Sequence, residues 1–223
     1  MMPKKTTLSL IALATVAFFL SSCRLLEIEE SSTETPDNSQ SEENLSPLNV
    51  TDQEIRAGDE AVILEIDEIP NQIPVDRDTQ FGASERFSEG SVAPNDSWLA
   101  LVTSGAAHSA GWLVKPHTQQ LQPATFQYGG NITIGPWSGD SQYIVFVEKG
   151  PAGDRTLTVV DREQLGETVE ESAMPVRTPD HEAQPPTERI YEAVEWRNNK
   201  LLFQVNGDRW FFDPDTEEVQ QKS

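Results

Sequence analysis

The chain has 223 residues, with 16 lysines and arginines against 37 aspartates and glutamates, so its formal net charge is -21. Nucleic acids are bound by clustered basic side chains, and the sequence holds no such cluster, which excludes a nucleic acid as the expected partner. Hydrophobic residues make up only 36% of the chain. The length allows one or two domains, and part of the chain is expected to build no core.

Residues 1–22 have the layout of an export signal peptide. Lys4 and Lys5 precede an apolar run from Leu8 to Leu20, which is shorter than the roughly 20 residues that a membrane-spanning helix needs. The segment Leu20-Ser21-Ser22-Cys23 resembles the bacterial lipobox, in which cleavage leaves a lipidated cysteine at the new N-terminus. The alternative is an ordinary signal peptide followed by an unmodified cysteine.

The lipobox resemblance implies that Cys23 carries a diacylglyceryl group and an acylated amine, with palmitate among the chains. The bilayer is then a partner of the protein, because several acyl chains hold it far more firmly than one. Arg24 stands where similar lipoproteins of the inner membrane carry aspartate, which favours the outer membrane, facing the periplasm, over the plasma membrane. Cys23 is also the only cysteine, so no intramolecular disulfide can form.

Residues 23–60 are predicted to form a disordered acidic tether. From Glu27 to Glu60 the sequence consists mainly of acidic, small polar and proline residues, without an aromatic side chain. Such a composition buries too little apolar surface to offset the entropy of ordering. The tether would hold the folded part away from the membrane, although an acidic peptide that docks on a basic partner is an alternative.

Residues 61–223 are predicted to be all-β, because short β-branched and aromatic runs alternate with Pro, Gly, Asn and Asp. Three stretches repeat a strand, a polar turn and a second strand, with turns anchored at Asp96, Asp140 and Asn199. A further strand follows each copy. Asn206-Gly207 between two apolar runs predicts a two-residue hairpin turn.

The best copy, Ile134–Asp161, contains Pro-Trp-Ser-Gly-Asp-Ser-Gln-Tyr-Ile-Val-Phe-Val and resembles the TolB-like β-propeller repeat. The resemblance implies four-stranded blades and says nothing about activity. Propellers usually close with about four to eight blades, whereas this chain supplies about three, with an extra strand at Ala61–Ile66. We therefore expect a compact partial propeller, or an array completed by a partner or a second copy.

The five tryptophans fall within these repeats. We interpret them as inter-sheet core, with a platform for stacking a sugar or peptide as the alternative. The insertion Met174–Pro186 separates the second and third copies, and long insertions often carry function. A contact surface is therefore predicted around this loop, with the candidate binding residues Trp137, Trp196 and His181.

No sequence motif predicts a metal site or a cofactor, since the three histidines lack the spacing of zinc ligands. His108-Ser109 lacks the glycine pattern of a nucleophile elbow. The acidic cluster from Asp213 to Glu218 is expected to be a solvated turn, with weak calcium binding as the alternative. We expect a binding or scaffolding module with an envelope protein as partner; the alternative is a carboxylate-based hydrolase acting on envelope glycans or peptides.

Overall fold

The computed structural model describes residues 45–58, 61–76 and 82–222, in which fifteen strands form four antiparallel sheets. Sheet 1 contains β1 (Leu48–Val50), β2 (Glu54–Ala57) and β3 (Ala61–Glu65). Sheet 2 contains β4 (Arg86–Val92), β5 (Leu99–Ser104), β6 (His108–Lys115) and β7 (Gln120–Tyr128). Sheet 3 contains β8 (Asn131–Trp137), β9 (Tyr143–Lys149), β10 (Arg155–Asp161) and β11 (Ala173–Val176). Sheet 4 contains β12 (Tyr191–Arg197), β13 (Lys200–Val205), β14 (Asp208–Asp213) and β15 (Glu218–Gln221).

Helical structure is sparse. The single α-helix of the described residues, α1 (Val169–Ser172), follows β10, and short 3-10 helices cover Ile66–Glu68, Pro116–Thr118, His181–Ala183 and Pro186–Glu188. None of the helices in these ranges is long and apolar enough to span a membrane.

The predicted all-β class is confirmed, and the sheets form an open, propeller-like array. The first strands of successive sheets lie side by side, in the order β1, β4, β8 and β12. Three sheets have the four strands of a propeller blade, in agreement with the three predicted copies. The extra strand predicted at Ala61–Ile66 is β3, which ends one residue earlier.

Three apolar clusters hold the four sheets together, one between each pair of neighbours. Phe87 and Trp112 pack between sheets 1 and 2, Phe146 packs between sheets 2 and 3, and Phe203 packs between sheets 3 and 4. All four side chains are fully buried or nearly so. Because alternate residues of a strand face opposite sides, each inner sheet contributes to two clusters, and its central strands carry apolar residues on both faces.

The first turns of sheets 2 and 3 have the same hydrogen-bond pattern. In sheet 2, Asn95 Oδ1 accepts from the backbone N–H of Ser97, and Asp96 has a φ of 55°. In sheet 3, Asp140 Oδ1 accepts from the N–H of Gln142, and Ser141 has a φ of 63°. The structural equivalent of Asp140 is therefore Asn95, one residue before the Asp96 anchor used in the sequence comparison.

Sheet 4 uses tighter turns. Asn198 and Asn199 both have positive φ, as do Asn206 (53°) and Gly207 (93°). Two consecutive left-handed residues between paired strands are the signature of a type I′ turn. The hairpin predicted at Asn206-Gly207 is confirmed, with Val205 paired to Asp208.

The folded region begins earlier than the predicted boundary at residue 60, because β1 and β2 lie within the segment assigned to the tether. Both strands are short and alternate apolar with polar residues. Ile55 is fully buried between sheets 1 and 2, and the Asp52 carbonyl accepts from the Phe87 N–H. These long-range contacts order the segment that contains β1 and β2, although its composition alone predicts disorder. The predicted signal peptide, Cys23 and residues 24–44 lie outside the described residues.

Candidate functional site

An open cleft lies between sheets 3 and 4, where the inner strands β8 and β12 run beside each other. Its volume is about 450 Å³. Sheet 3 contributes residues at the start of β8, the end of β9 and the start of β10, and sheet 4 contributes the start of β12. The lining residues are Asn131, Thr133, Val147, Lys149, Arg155, Tyr191, Glu192 and Ala193. We call this feature the 3/4 cleft.

A polar row of three side chains crosses sheet 3 at the mouth of the 3/4 cleft. Lys149 of β9 pairs with Asn131 of β8 on one side and with Arg155 of β10 on the other. Residues directly opposite one another in antiparallel strands have side chains on the same face of the sheet. An amide and two cations are therefore lined up along one edge of the cleft.

The two cations have different surroundings. The Arg155 backbone N–H donates to the Arg189 carbonyl at 2.8 Å, and Arg155 Nη1 lies 3.5 Å from Glu192 Oε1. The side chains of Arg155 and Glu192 are both about half exposed. Lys149 makes no ion pair with any carboxylate of the described residues. The row consequently carries an excess of positive charge on a chain that is strongly acidic.

The predicted loop is ordered and fixes one wall of the 3/4 cleft. Thr178 donates its N–H to the Tyr191 hydroxyl at 3.2 Å, and His181 Nδ1 lies 2.9 Å from the same oxygen. All three side chains are buried, with His181 only 6% exposed. Burial lowers the pKa of His181, and the cations Arg189 and Arg177 lower that pKa further. His181 therefore positions the cleft residue Tyr191 from within the protein.

Trp137 and Trp196 lie on the neighbouring strands β8 and β12, at the opposite end of β12 from Tyr191. Trp196 Nε1 donates to the Pro136 carbonyl at 2.9 Å, and its ring stacks on Tyr143 with centroids 5.6 Å apart. Trp137 packs against the cluster between sheets 2 and 3, and Trp196 packs against the cluster between sheets 3 and 4. The two tryptophans therefore belong to different apolar clusters, on either side of sheet 3, and His181 lies at the other end of β12.

Tyr143, which stacks on Trp196, also contacts polar groups of sheets 3 and 4. Its hydroxyl donates to Asp215 Oδ1 at 2.9 Å and accepts from Gln142 Nε2, which also donates to Asp161. Burial raises the pKa of Tyr143, and the hydrogen bond to Asp215 adds to that rise. The hydroxyl therefore stays protonated and joins the two sheets.

The other residues considered as a nucleophile or as metal ligands make structural contacts. Ser109 Oγ donates to the Gly130 carbonyl at 3.5 Å, and His108 stacks on Phe126. Asp213 accepts from Lys200 in an ion pair of 2.7 Å, and its other oxygen accepts from the Asp215 N–H. Across residues 45–58, 61–76 and 82–222, no group of three or more potential metal ligands converges.

The polar row was missed in the sequence, although a signal for it exists. The segment Lys149-Gly-Pro-Ala-Gly-Asp-Arg155 has a glycine-rich turn between two strands, so a hairpin there would place the two cations opposite each other. The sequence does not show that sheet 4 packs beside this edge of sheet 3 and so forms a cleft.

No protein-family model matches the chain, and no curated protein matches it. Among solved structures, it is similar to one from a structural and mechanistic study of two prolyl endopeptidases, with 12% identity and a TM-score of 0.46 over 76% of this chain and 26% of that chain. It is also similar to the acylaminoacyl peptidase of Pyrococcus horikoshii, with 13% identity and a TM-score of 0.39 over 65% of this chain and 26% of that chain. The chain spans about a quarter of the length of each.

Proposed function

We propose that this protein is a lipid-anchored lipoprotein of the cell envelope whose β-repeat domain is a binding or scaffolding module for an envelope protein. The observation that carries the binding role is the 3/4 cleft, which combines an apolar wall with the polar row Asn131, Lys149 and Arg155. Binding sites commonly combine an apolar lining with a few placed polar groups. The hydrogen bonds of Thr178 and His181 with the Tyr191 hydroxyl hold this arrangement in place.

The anchoring role is supported by the sequence at the N-terminus. Leu20-Ser21-Ser22-Cys23 follows a short apolar run, and an acidic stretch separates Cys23 from the first described residue, Leu45. Repulsion among its carboxylates would extend this stretch and hold the domain away from the bilayer. Arg24 supports placement on the periplasmic face of the outer membrane.

A Cys23→Ala variant tests the anchor. We expect it to lose palmitate labelling and to move from the membrane fraction to the soluble fraction, because the acylated thiol is removed. A Ser21→Ala variant, which keeps a small residue before the cysteine, should label and fractionate like the parent chain. If Cys23→Ala stays fully membrane-bound, the lipoprotein proposal is wrong.

The alternative, a carboxylate-based hydrolase, has less support in the described residues. A general acid needs a carboxyl pKa raised toward neutrality. Every carboxyl group of this region whose pKa is shifted has a lowered pKa, through ion pairs or hydrogen bonds to the ionised form; these groups are Glu54, Asp140, Asp180 and Asp213.

A further inference from the structure

We propose that the 3/4 cleft binds a carboxylate of an acidic peptide segment, held between the Lys149 ammonium and the Arg155 guanidinium. This inference rests on the proposed binding function and names the group that the cleft recognises. It concerns the polar row and leaves the anchor at Cys23 aside.

Two like charges lie directly opposite each other at the mouth of the 3/4 cleft. Lys149 and Arg155 form a cross-strand pair, and like charges directly opposite each other destabilise a sheet. Glu192, 3.5 Å from Arg155, offsets only part of this repulsion. The chain has more than twice as many acidic as basic residues, yet no described carboxylate pairs with Lys149. An external anion would relieve this repulsion.

The charges of the residues that line the 3/4 cleft do not balance. Lys149 and Arg155 contribute two positive charges and Glu192 contributes one negative charge, so the lining carries a net charge of +1. One carboxylate neutralises this charge, whereas a phosphate dianion would leave a net negative site. The ion pair between Arg155 and Glu192 is long, at 3.5 Å, and exposed, so Arg155 can turn a guanidinium edge to a ligand at little cost.

The shape and chemistry of the cleft around the two cations suit a peptide. Val147 and Ala193 form an apolar wall, and Asn131 and Thr133 offer hydrogen-bonding groups beside it. A cleft of about 450 Å³ has room for a few residues of a peptide. A peptide could place an acidic side chain, or its own C-terminal carboxylate, on the cations and its backbone beside Asn131.

The test measures peptide binding to the full chain, purified in detergent at low ionic strength. The probes are acetyl-Ala-Glu-Ala-amide, its glutamine counterpart, acetyl-Ala-Ala with a free C-terminus, and inorganic phosphate. We expect the glutamate or the C-terminal peptide to bind, and the difference between these two identifies the source of the carboxylate. The glutamine peptide should bind at least about tenfold more weakly, because it lacks the charge-assisted hydrogen bonds.

Charge variants locate the binding. Lys149→Gln and Arg155→Gln should each weaken it about tenfold, and Lys149→Arg should restore most of it. Glu192→Gln should strengthen binding about threefold, because the competing carboxylate is removed. The matched controls Arg209→Gln and Glu218→Gln change the same charges on β14 and β15 of sheet 4 and should stay within about twofold of the parent chain.

The proposal is overturned if neither carboxylate peptide binds, if the glutamine peptide or phosphate binds as tightly as the better carboxylate peptide, or if the five glutamine variants behave alike. Folding of Lys149→Gln is checked by its thermal midpoint, which should equal or exceed that of the parent because the repulsion is gone. Failure here leaves palmitate labelling at Cys23 and partner capture through other surfaces unaffected, so the two proposals fail separately.

Discussion

The imidazole of His181 lies within the loop that precedes sheet 4, in contact with the Tyr191 hydroxyl. The sequence marks this histidine as a candidate for surface contacts, since it falls in a proline-rich insertion. The structure buries it, together with Thr178, around a tyrosine that is itself fully buried. Its distance from Trp137 and Trp196 follows from the length of β12, which local sequence cannot reveal.

Folding stability should fall on acidification because of His181. A histidine whose pKa is lowered by folding binds fewer protons in the native state than in the unfolded chain. Its contribution is therefore complete above the usual pKa of about 6.5 and is lost as the pH falls through that value toward the lower native pKa. Urea unfolding at about pH 7.5 and about pH 5 measures this loss.

The variant His181→Asn places an amide near the Nδ1 position without a group that titrates in this range. We expect it to lose less stability than the parent chain between the two pH values. The exposed His117 provides the control, since His117→Asn should keep the parent's pH dependence. An equal loss in His181→Asn and in the parent would contradict this role.

At the scale of single elements, the hairpin turns were the most predictable features. Asn206-Gly207 needs only local chemistry, because two left-handed residues between apolar runs define the turn. The repeat comparison was accurate to one residue in sheet 2, where Asn95 takes the role of Asp140. The sequence did not predict strands β1 and β2, because this segment becomes ordered only when Ile55 packs against sheet 2.

Gly207→Ala isolates the contribution of turn conformation. Gly207 has a φ of 93°, and an added Cβ would meet no atom within 4 Å, so the cost is conformational alone. We expect the substitution to lower the free energy of unfolding by about 1 kcal/mol. Gly139 also has open space but no left-handed φ, so Gly139→Ala should be neutral or slightly stabilising. Equal effects of both substitutions in urea unfolding would refute the argument.

At the scale of the whole molecule, four sheets are joined by three apolar clusters, and the array stays open. Its two end sheets carry polar groups on their outer faces, including the Glu54–Arg56 ion pair on sheet 1 and Lys222 above Phe211 on sheet 4. Repeat arrays are completed by polar terminal units of this kind. The arrangement agrees with the expected compact partial propeller.

The sequence predicted the all-β class and the three repeats because both follow from local periodicity. It could not predict the 3/4 cleft, because Lys149 and Arg155 meet Tyr191 and Glu192 only when sheets 3 and 4 pack together. The pairing of β9 with β10 follows from the short hairpin between them. The wall that sheet 4 contributes forms only when the sheets pack together. A sequence-based site prediction therefore favoured the insertion loop over the cleft that this loop supports.

Site-specific photo-crosslinking in intact cells tests most directly whether the anchored domain binds an envelope partner through the 3/4 cleft. A photoreactive residue replaces Thr133 in the cleft or, as a control, Gln220 on the edge strand β15; both positions are exposed. We predict a discrete crosslinked species from position 133 that decreases in the Lys149→Gln background, and none from position 220. No species from position 133, or the same species from both positions, would contradict the claim.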